Sequence, residues 1–334
     1  MQTNVNAPGI LQEEIRIRGK KALVPAVQIG GRTIVRTGGW LRMAILKDEE
    51  LVEGEPVDDP AHFIAQLKAS GMGADIFTFV RKPPADGLRH TLHCEEDNWA
   101  AIPTHSFKDW WENRLPQESR KNVRRAAKRE VVVREVPFDD ELVRGIKVIY
   151  DEMPVRQGRV FWHYGKDFEA VKLENATYLE RSWFVGAFYK DELIGFIKVI
   201  MVDRVATLIQ ILAKNAHHDK RPMNALLSHT VELCERRGVA LLVYGKYSYG
   251  NKRGDSLGEF KRRNGFEEVK FPRYYAPLTL KGRLALKLGL QHGPAKMIPR
   301  PVAGFLLTLR ARVLRLWSRS KATGPVTNET AEVN

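Results

Sequence analysis

Two stretches of the chain carry residue types that can do chemistry. The first is the turn His217-His218-Asp219-Lys220-Arg221, which opens a helical pattern with Pro222 in its first turn. First-turn amides lack intrahelical partners and sit at the positive end of the helix dipole, so beside Lys220, Arg221 and Asn224 they meet the requirements of an anion site. An ordinary surface helix start is the alternative reading. The second stretch is YGKYSYGNKRG followed by SLGEFKRRNGF, which gathers Tyr244, Lys246, Tyr247, Tyr249, Asn251, Lys252, Arg253 and Lys261. A covalent nucleophile finds no support: there is no Ser/His/Asp order or G-x-S-x-G turn, and Cys234 falls on the inward face of a helix.

The elements around these stretches are legible from apolar spacing. Residues 183–189, 193–202 and 205–213 read as three successive antiparallel strands, the first two joined by Lys190-Asp191-Glu192. The helix after them puts Met223, Leu226, Leu227, Thr230, Val231 and Cys234 on one face and stops at Gly238; residues 239–244 return as a strand. From 15 to about 103, short apolar runs cut by turn signals predict strands and hairpins, with a helix over 60–69 and a buried strand over 74–80.

Between the two regions, Ser106 can cap a helix carrying Trp110 and Trp111, and residues 118–129 read as a helix with Val123, Ala126 and Ala127 inward. Its outer face holds Arg120, Lys121, Arg124, Arg125, Lys128 and Arg129, which is either a solvated surface or a phosphate or nucleic-acid surface. Residues 139–152 give another amphipathic helix. Trp162, His163 and Tyr164 then either wall a substrate cleft or join the core.

The length of 334 residues favours two domains, and the net charge of +14 points to phosphates, nucleic acid or an anionic membrane face as partners. Cys94 and Cys234 lie far apart without ligand spacing, and His90 and His93 have no recurring partner, so no metal and no disulfide framework are expected. The first residues lack a basic start with an apolar core, and no run is long enough to span a bilayer, which predicts a cytoplasmic protein. From Val269 to Asn328 there is no acidic residue, and residues 301–319 space Val302, Phe305, Leu306, Leu309, Val313, Leu316 and Trp317 as one helix face between arginines. That helix suits the inner face of an anionic membrane, giving peripheral association; packing on the N-terminal lobe is the alternative.

The order of ESRKNVRRAAKREVVVREV, the strand-turn-helix over 208–238, and DSLGEFKRRNGFEEVKFPRYYAPL resembles the GNAT superfamily of N-acetyltransferases, and more closely its FemAB-like, Fem-type branch. The resemblance implies an α/β (α+β), two-lobed acyl-CoA N-acyltransferase fold with mixed, mainly antiparallel sheets. On it, residues 1–135 form a degenerate N-terminal lobe, 136–280 the acyltransferase lobe, 281–321 a basic amphipathic tail, and 322–334 a disordered end. It implies an enzyme transferring groups other than aminoacyl groups from acetyl-CoA or another acyl-CoA, without metal, to an amine of a sugar, peptide or lipid-linked envelope precursor. The donor arm would lie between the strands of 208–212 and 241–244, facing Ile209, Gln210 and Ile211, with Lys220, Arg221 and Asn224 at the phosphates. Tyr247 and Tyr249 are the candidate acids, and Lys261 matches the lysine of a Fem-type F-K-x-x-x-G segment, implying charge stabilisation at the acyl carbonyl. Arg124, Arg125, Trp162 and Tyr164 are the candidate substrate contacts. Arg221 and Met223 stand where acyl-CoA members carry glycines, which leaves open an aminoacyl-tRNA donor, with tRNA as partner, or a non-catalytic basic nucleic-acid or membrane-binding protein on the same scaffold.

Overall fold

The computed structural model describes residues 8–17, 20–83, 90–156, 158–248 and 256–292. Its N-terminal third holds β1 (Leu11–Ile17), β2 (Lys20–Ile29), β3 (Arg32–Thr37), β4 (Met43–Leu46), α1 (Pro60–Ala69), β5 (Ile76–Val80) and β6 (His93–Pro103). A short turn of helix, α2 (Phe107–Asp109), widens into a π turn, Trp110–Arg114, and leads to α3 (Gln117–Lys128), β7 (Val132–Val136) and α4 (Asp140–Tyr150). A small hairpin of β8 (Val155–Arg156) and β9 (Arg159–Val160) precedes α5 (Phe168–Asn175), β10 (Ser182–Tyr189), β11 (Glu192–Val202) and β12 (Val205–Ala213). The described residues continue through α6 (Pro222–Arg236), β13 (Leu241–Val243), α7 (Ser256–Arg263), β14 (Glu267–Pro277) and α8 (Leu280–Lys287).

Local chemistry explains most of these boundaries. Asp59 accepts from the amide of His62 with Pro60 at the first position of α1, and Asp139 and Asp167 likewise cap α4 and α5. Ser106 caps α2 as its sequence position predicts. Gly30 and Gly31, both at positive φ, make the tight turn from β2 to β3, whereas Lys190 and Asp191 adopt the same left-handed geometry between β10 and β11 without glycine. Ala127, expected inward on α3, is exposed; Ser119 takes the buried place beside Ala126.

Twelve strands form one sheet in the order β1-β2-β3-β4-β5-β14-β6-β13-β12-β11-β10-β7, antiparallel except at β4–β5 and β12–β13. The lobes are interlocked: β14, from late in the chain, fills the place between β5 and β6, and β6 bridges to β13. Alternate residues of β10 and β11 serve opposite faces. Phe184 and Phe196 pack under α4 and α5, while Val185, Ala187, Ile197 and Val199 pack under α6 and α3. A second core, of Phe63, Phe77, Phe79 and Tyr274, joins α1 and β5 to β14.

Candidate functional site

The site begins where two parallel strands part. β12 and β13 pair only over Val205–Leu241, Ala206–Leu242 and Thr207–Val243. Beyond that point the chain after β13 turns towards β6, with the Tyr244 amide donating to the Ala100 carbonyl and the Ala100 amide to that of Gly245. β12 continues alone on that side, and its register against β11 slips, so that Lys198 faces Gln210, Val199 faces Leu208, and Ile209 is the unpaired residue of a bulge. A gap therefore opens along residues 208–213, and a cleft of about 1210 Å³ runs into it.

The cleft walls come from several elements. Ile211, Leu212, Ala213, Lys214 and Asn215 follow β12; Arg221, Pro222, Met223 and Asn224 open α6; Tyr244, Phe260, Arg263 and Asn264 form the far side. Ser119 and Asn122 of α3 and Arg156 and Phe161 of the β8–β9 hairpin complete it. Arg221 sits at φ +59°, ψ +39°, the left-handed geometry glycine adopts freely and which costs an arginine roughly 1 kcal/mol or more. The backbone turn at the head of α6 is thus of the kind glycine would make, while the side chain adds a cation. Three polar atoms on these walls, Asn122 Oδ1, Arg156 Nε and Arg221 Nε, are buried without a hydrogen-bond partner. Arg156 is otherwise held within the chain, its Nη atoms donating to the carbonyls of Ala213 and Ile149 and to Glu152. Two guanidinium donors and an amide acceptor suit a phosphate-bearing ligand with donors of its own.

The sequence-selected residues distribute unevenly around this cleft. Ile211, Arg221 and Asn224 line it, and the Asn224 amide donates to Asn264 Oδ1 at 3.2 Å. Gln210 points to the opposite face, accepting from Tyr150 OH at 2.8 Å and contacting His163 Nε2 at 3.3 Å. Burial pushes the Tyr150 phenol up to about 12, so it is a donor throughout the physiological range. Ile209 is turned by the bulge towards a second cavity of about 310 Å³, bounded by Asp48, Glu49, Glu50, Leu51 and Thr207. Lys220 does not reach the cleft; it lies over the Tyr189 ring at 4.7 Å and beside Asp219. Trp162 and Tyr164 are exposed outside the cleft while His163 between them is buried, so it is the neighbouring Phe161 that forms the wall. Arg124 and Arg125 are exposed on α3, Arg124 over the Trp111 ring at 5.9 Å.

Lys261 is fully buried under the cleft floor rather than on it. Its Nζ donates to the Lys246 carbonyl at 2.5 Å and stands 5.2 Å from the centre of the Tyr244 ring, which does line the cleft. Tyr247, half-buried, packs against the same core. Tyr249, Asn251, Lys252 and Arg253 lie outside the described residues, as does the helix expected over 301–319. Asn122 and Arg156 escaped sequence reasoning: Asn122 is embedded in a basic run that draws attention to its charges, and Arg156 stands in a hairpin too short to show a period. Among the described residues no helix is long and apolar enough to cross a membrane.

Compared by sequence, the chain matches no family model and no curated protein. Compared by structure, it is similar to FemX, with a TM-score of 0.54 over 84% of this chain and 90% of that one at 11% identity. It is also similar to L-PGS from Bacillus licheniformis, TM-score 0.51, covering 79% and 88% at 13% identity. The DUF2156 C-terminal domain of a protein designated a lysylphosphatidylglycerol synthetase, from Agrobacterium fabrum, gives 0.50 over 79% and 87% at 16% identity. At these identities the likeness defines the fold alone, a large mixed, mostly antiparallel sheet with flanking helices of the kind that FemX and L-PGS share.

Proposed function

We propose that the protein is an N-acyltransferase that takes an acyl group from an acyl-CoA held in the cleft and forms an amide on an amine of a sugar, peptide or lipid-linked envelope precursor. The observation that carries this reading is the parting of β12 from β13 directly beside the head of α6. It leaves a slot for an extended donor arm, with the edge of β12 beyond its pairing to β13 on one side and the head of α6 at one end. The buried Arg156 Nε, Arg221 Nε and Asn122 Oδ1 fit the polar groups of such a donor.

In this reading Arg221 and Arg156 hold the phosphates, and the strand amides at residues 209–211 orient the acyl carbonyl and stabilise the oxyanion that forms when the amine attacks. The C–N bond forms, the C–S bond breaks, the departing thiolate takes a proton from Tyr247 or Tyr249, and the proton shed by the attacking nitrogen restores the phenol. Lys261 acts from beneath, fixing the backbone at Lys246 and placing its charge under Tyr244.

A second reading, with aminoacyl-tRNA as donor, is favoured by α3: the helix that gives Ser119 and Asn122 to the cleft wall turns Arg124, Arg125, Lys128 and Arg129 to solvent. Thermal unfolding separates the two. An acyl-CoA present at about 100 times its Kd should add roughly 2.7 kcal/mol. A shift with tRNA and none with any acyl-CoA replaces the first reading by the second, and no shift with either removes both.

A further inference from the structure

The last α-helix among the described residues presents a face that no other described residue covers. α8 runs from Leu280 to Lys287, capped by Thr279, whose hydroxyl accepts from the Gly282 amide. Its inner side is seated hard: Ala285 and Leu286 are buried against Ile76 and Tyr275, and a Cβ on Gly282 would lie 1.9 Å from the Asp75 carbonyl oxygen. That contact fixes which face is outward. Leu280, Leu284 and Leu288, at i, i+4 and i+8, are 80%, 58% and 53% exposed, and Trp40, alongside under Lys281, is 67% exposed. Isolated exposed leucines are ordinary; a row of three beside a tryptophan is a surface with a purpose.

The flanks of the row name the occupant. On a helical wheel Arg283 and Lys287 border the leucines on one side and Lys281 on the other. Arg283 and Lys287 are exposed and make no salt bridge among the described residues, and residues 269–328 contain no Asp or Glu. A covering segment drawn from residues 293–328, or the same face of a second copy, would set cations against cations. We infer that this face docks on an anionic lipid surface, with the leucines and Trp40 entering the interfacial region and Arg283 and Lys287 at the headgroups, while Lys281 stays tied to Asp75 and the Trp40 carbonyl. The inference is independent of the cleft and of the donor it takes.

Co-sedimentation of the full chain with phosphatidylserine/phosphatidylcholine vesicles, against phosphatidylcholine alone, tests it. Binding to the anionic vesicles should exceed binding to the neutral ones at least tenfold and fall as salt rises. The double variant Leu284→Gln/Leu288→Gln should lower anionic binding at least tenfold with the thermal midpoint unchanged, and Arg283→Gln/Lys287→Gln should flatten the salt dependence. Trp40→Phe should reduce the blue shift of tryptophan emission on adding vesicles. Undiminished binding by the leucine variant, equal binding to neutral vesicles, or a midpoint that drops without lipid, showing that the row packs on protein, overturns the inference.

Discussion

The cleft at the head of α6 and the seam where β14 meets β5 and β6 are both rich in charge, and they handle it in opposite ways. At the seam Asp97 accepts from Lys246 Nζ at 2.8 Å and from Arg273 Nε at 2.8 Å, and Arg273 also reaches Glu49 at 2.9 Å. Burial would push the Asp97 carboxyl up, yet the hydrogen bonds from Lys246, Arg273 and the Asn98 amide outweigh it and hold the group below its usual range. In the cleft, Asn122, Arg156 and Arg221 each keep a buried polar atom without a partner. The seam's charges are answered within the chain, whereas the cleft keeps two guanidinium nitrogens and an amide oxygen that a bound ligand can meet.

That contrast can be broken at either end. The largest effect belongs to the seam: Asp97→Ala leaves the part-buried Arg273 with Glu49 alone and takes the carboxylate from Lys246, and should cost about 2–3 kcal/mol in urea unfolding. Next, Lys261→Met keeps the buried volume and removes the charge beneath Tyr244. Turnover should fall on the order of a hundredfold with the fold retained by circular dichroism, and unchanged turnover separates Lys261 from the chemistry. Arg221→Gly divides the two roles of one residue. It relieves the left-handed strain and should stabilise the ligand-free protein by roughly 1 kcal/mol, while donor affinity falls about tenfold; a variant that binds as tightly as the native chain refutes the phosphate role.

The smallest effect is a pH dependence. Lys198, buried in β11, donates to the carbonyls of Asn175 and Thr177 at 2.9 and 2.7 Å and faces no carboxylate at bonding distance; burial lowers its pKa to about 8. The unfolded chain binds that proton up to about 10.4, so between these values the folded state releases it first and this residue's penalty fades as pH rises. The stability difference between Lys198→Met and the native chain should therefore shrink from about pH 7.5 to about pH 10, read from urea midpoints.

Much of the fold was legible because local chemistry and burial agreed: the Pro60 and Pro222 helix starts, the Lys190-Asp191 turn and the three strands from 182 to 213 all stand close to where their spacing puts them. The site was legible only in part. Apolar period places Ile211 and the α6 turn, yet the bulge at Ile209 alters how the surrounding side chains are distributed between the faces, so Gln210 and Ile209 face away from the cleft. No local pattern announces a bulge whose cause lies in the neighbouring strand. Lys261 illustrates the same limit: its neighbours on α7 suggest a surface lysine, and only the fold of the 244–248 loop over it makes it a buried one.

The insertion of β14 between β5 and β6 also sets an order of events during synthesis. The five N-terminal strands emerge first, but β5, whose residues Ile76–Val80 are all buried in the finished protein, has β14 as its partner on that side. For nearly two hundred residues of translation it must remain a bare apolar edge, exposed to wrong pairing, until residues 267–277 arrive to close the sheet.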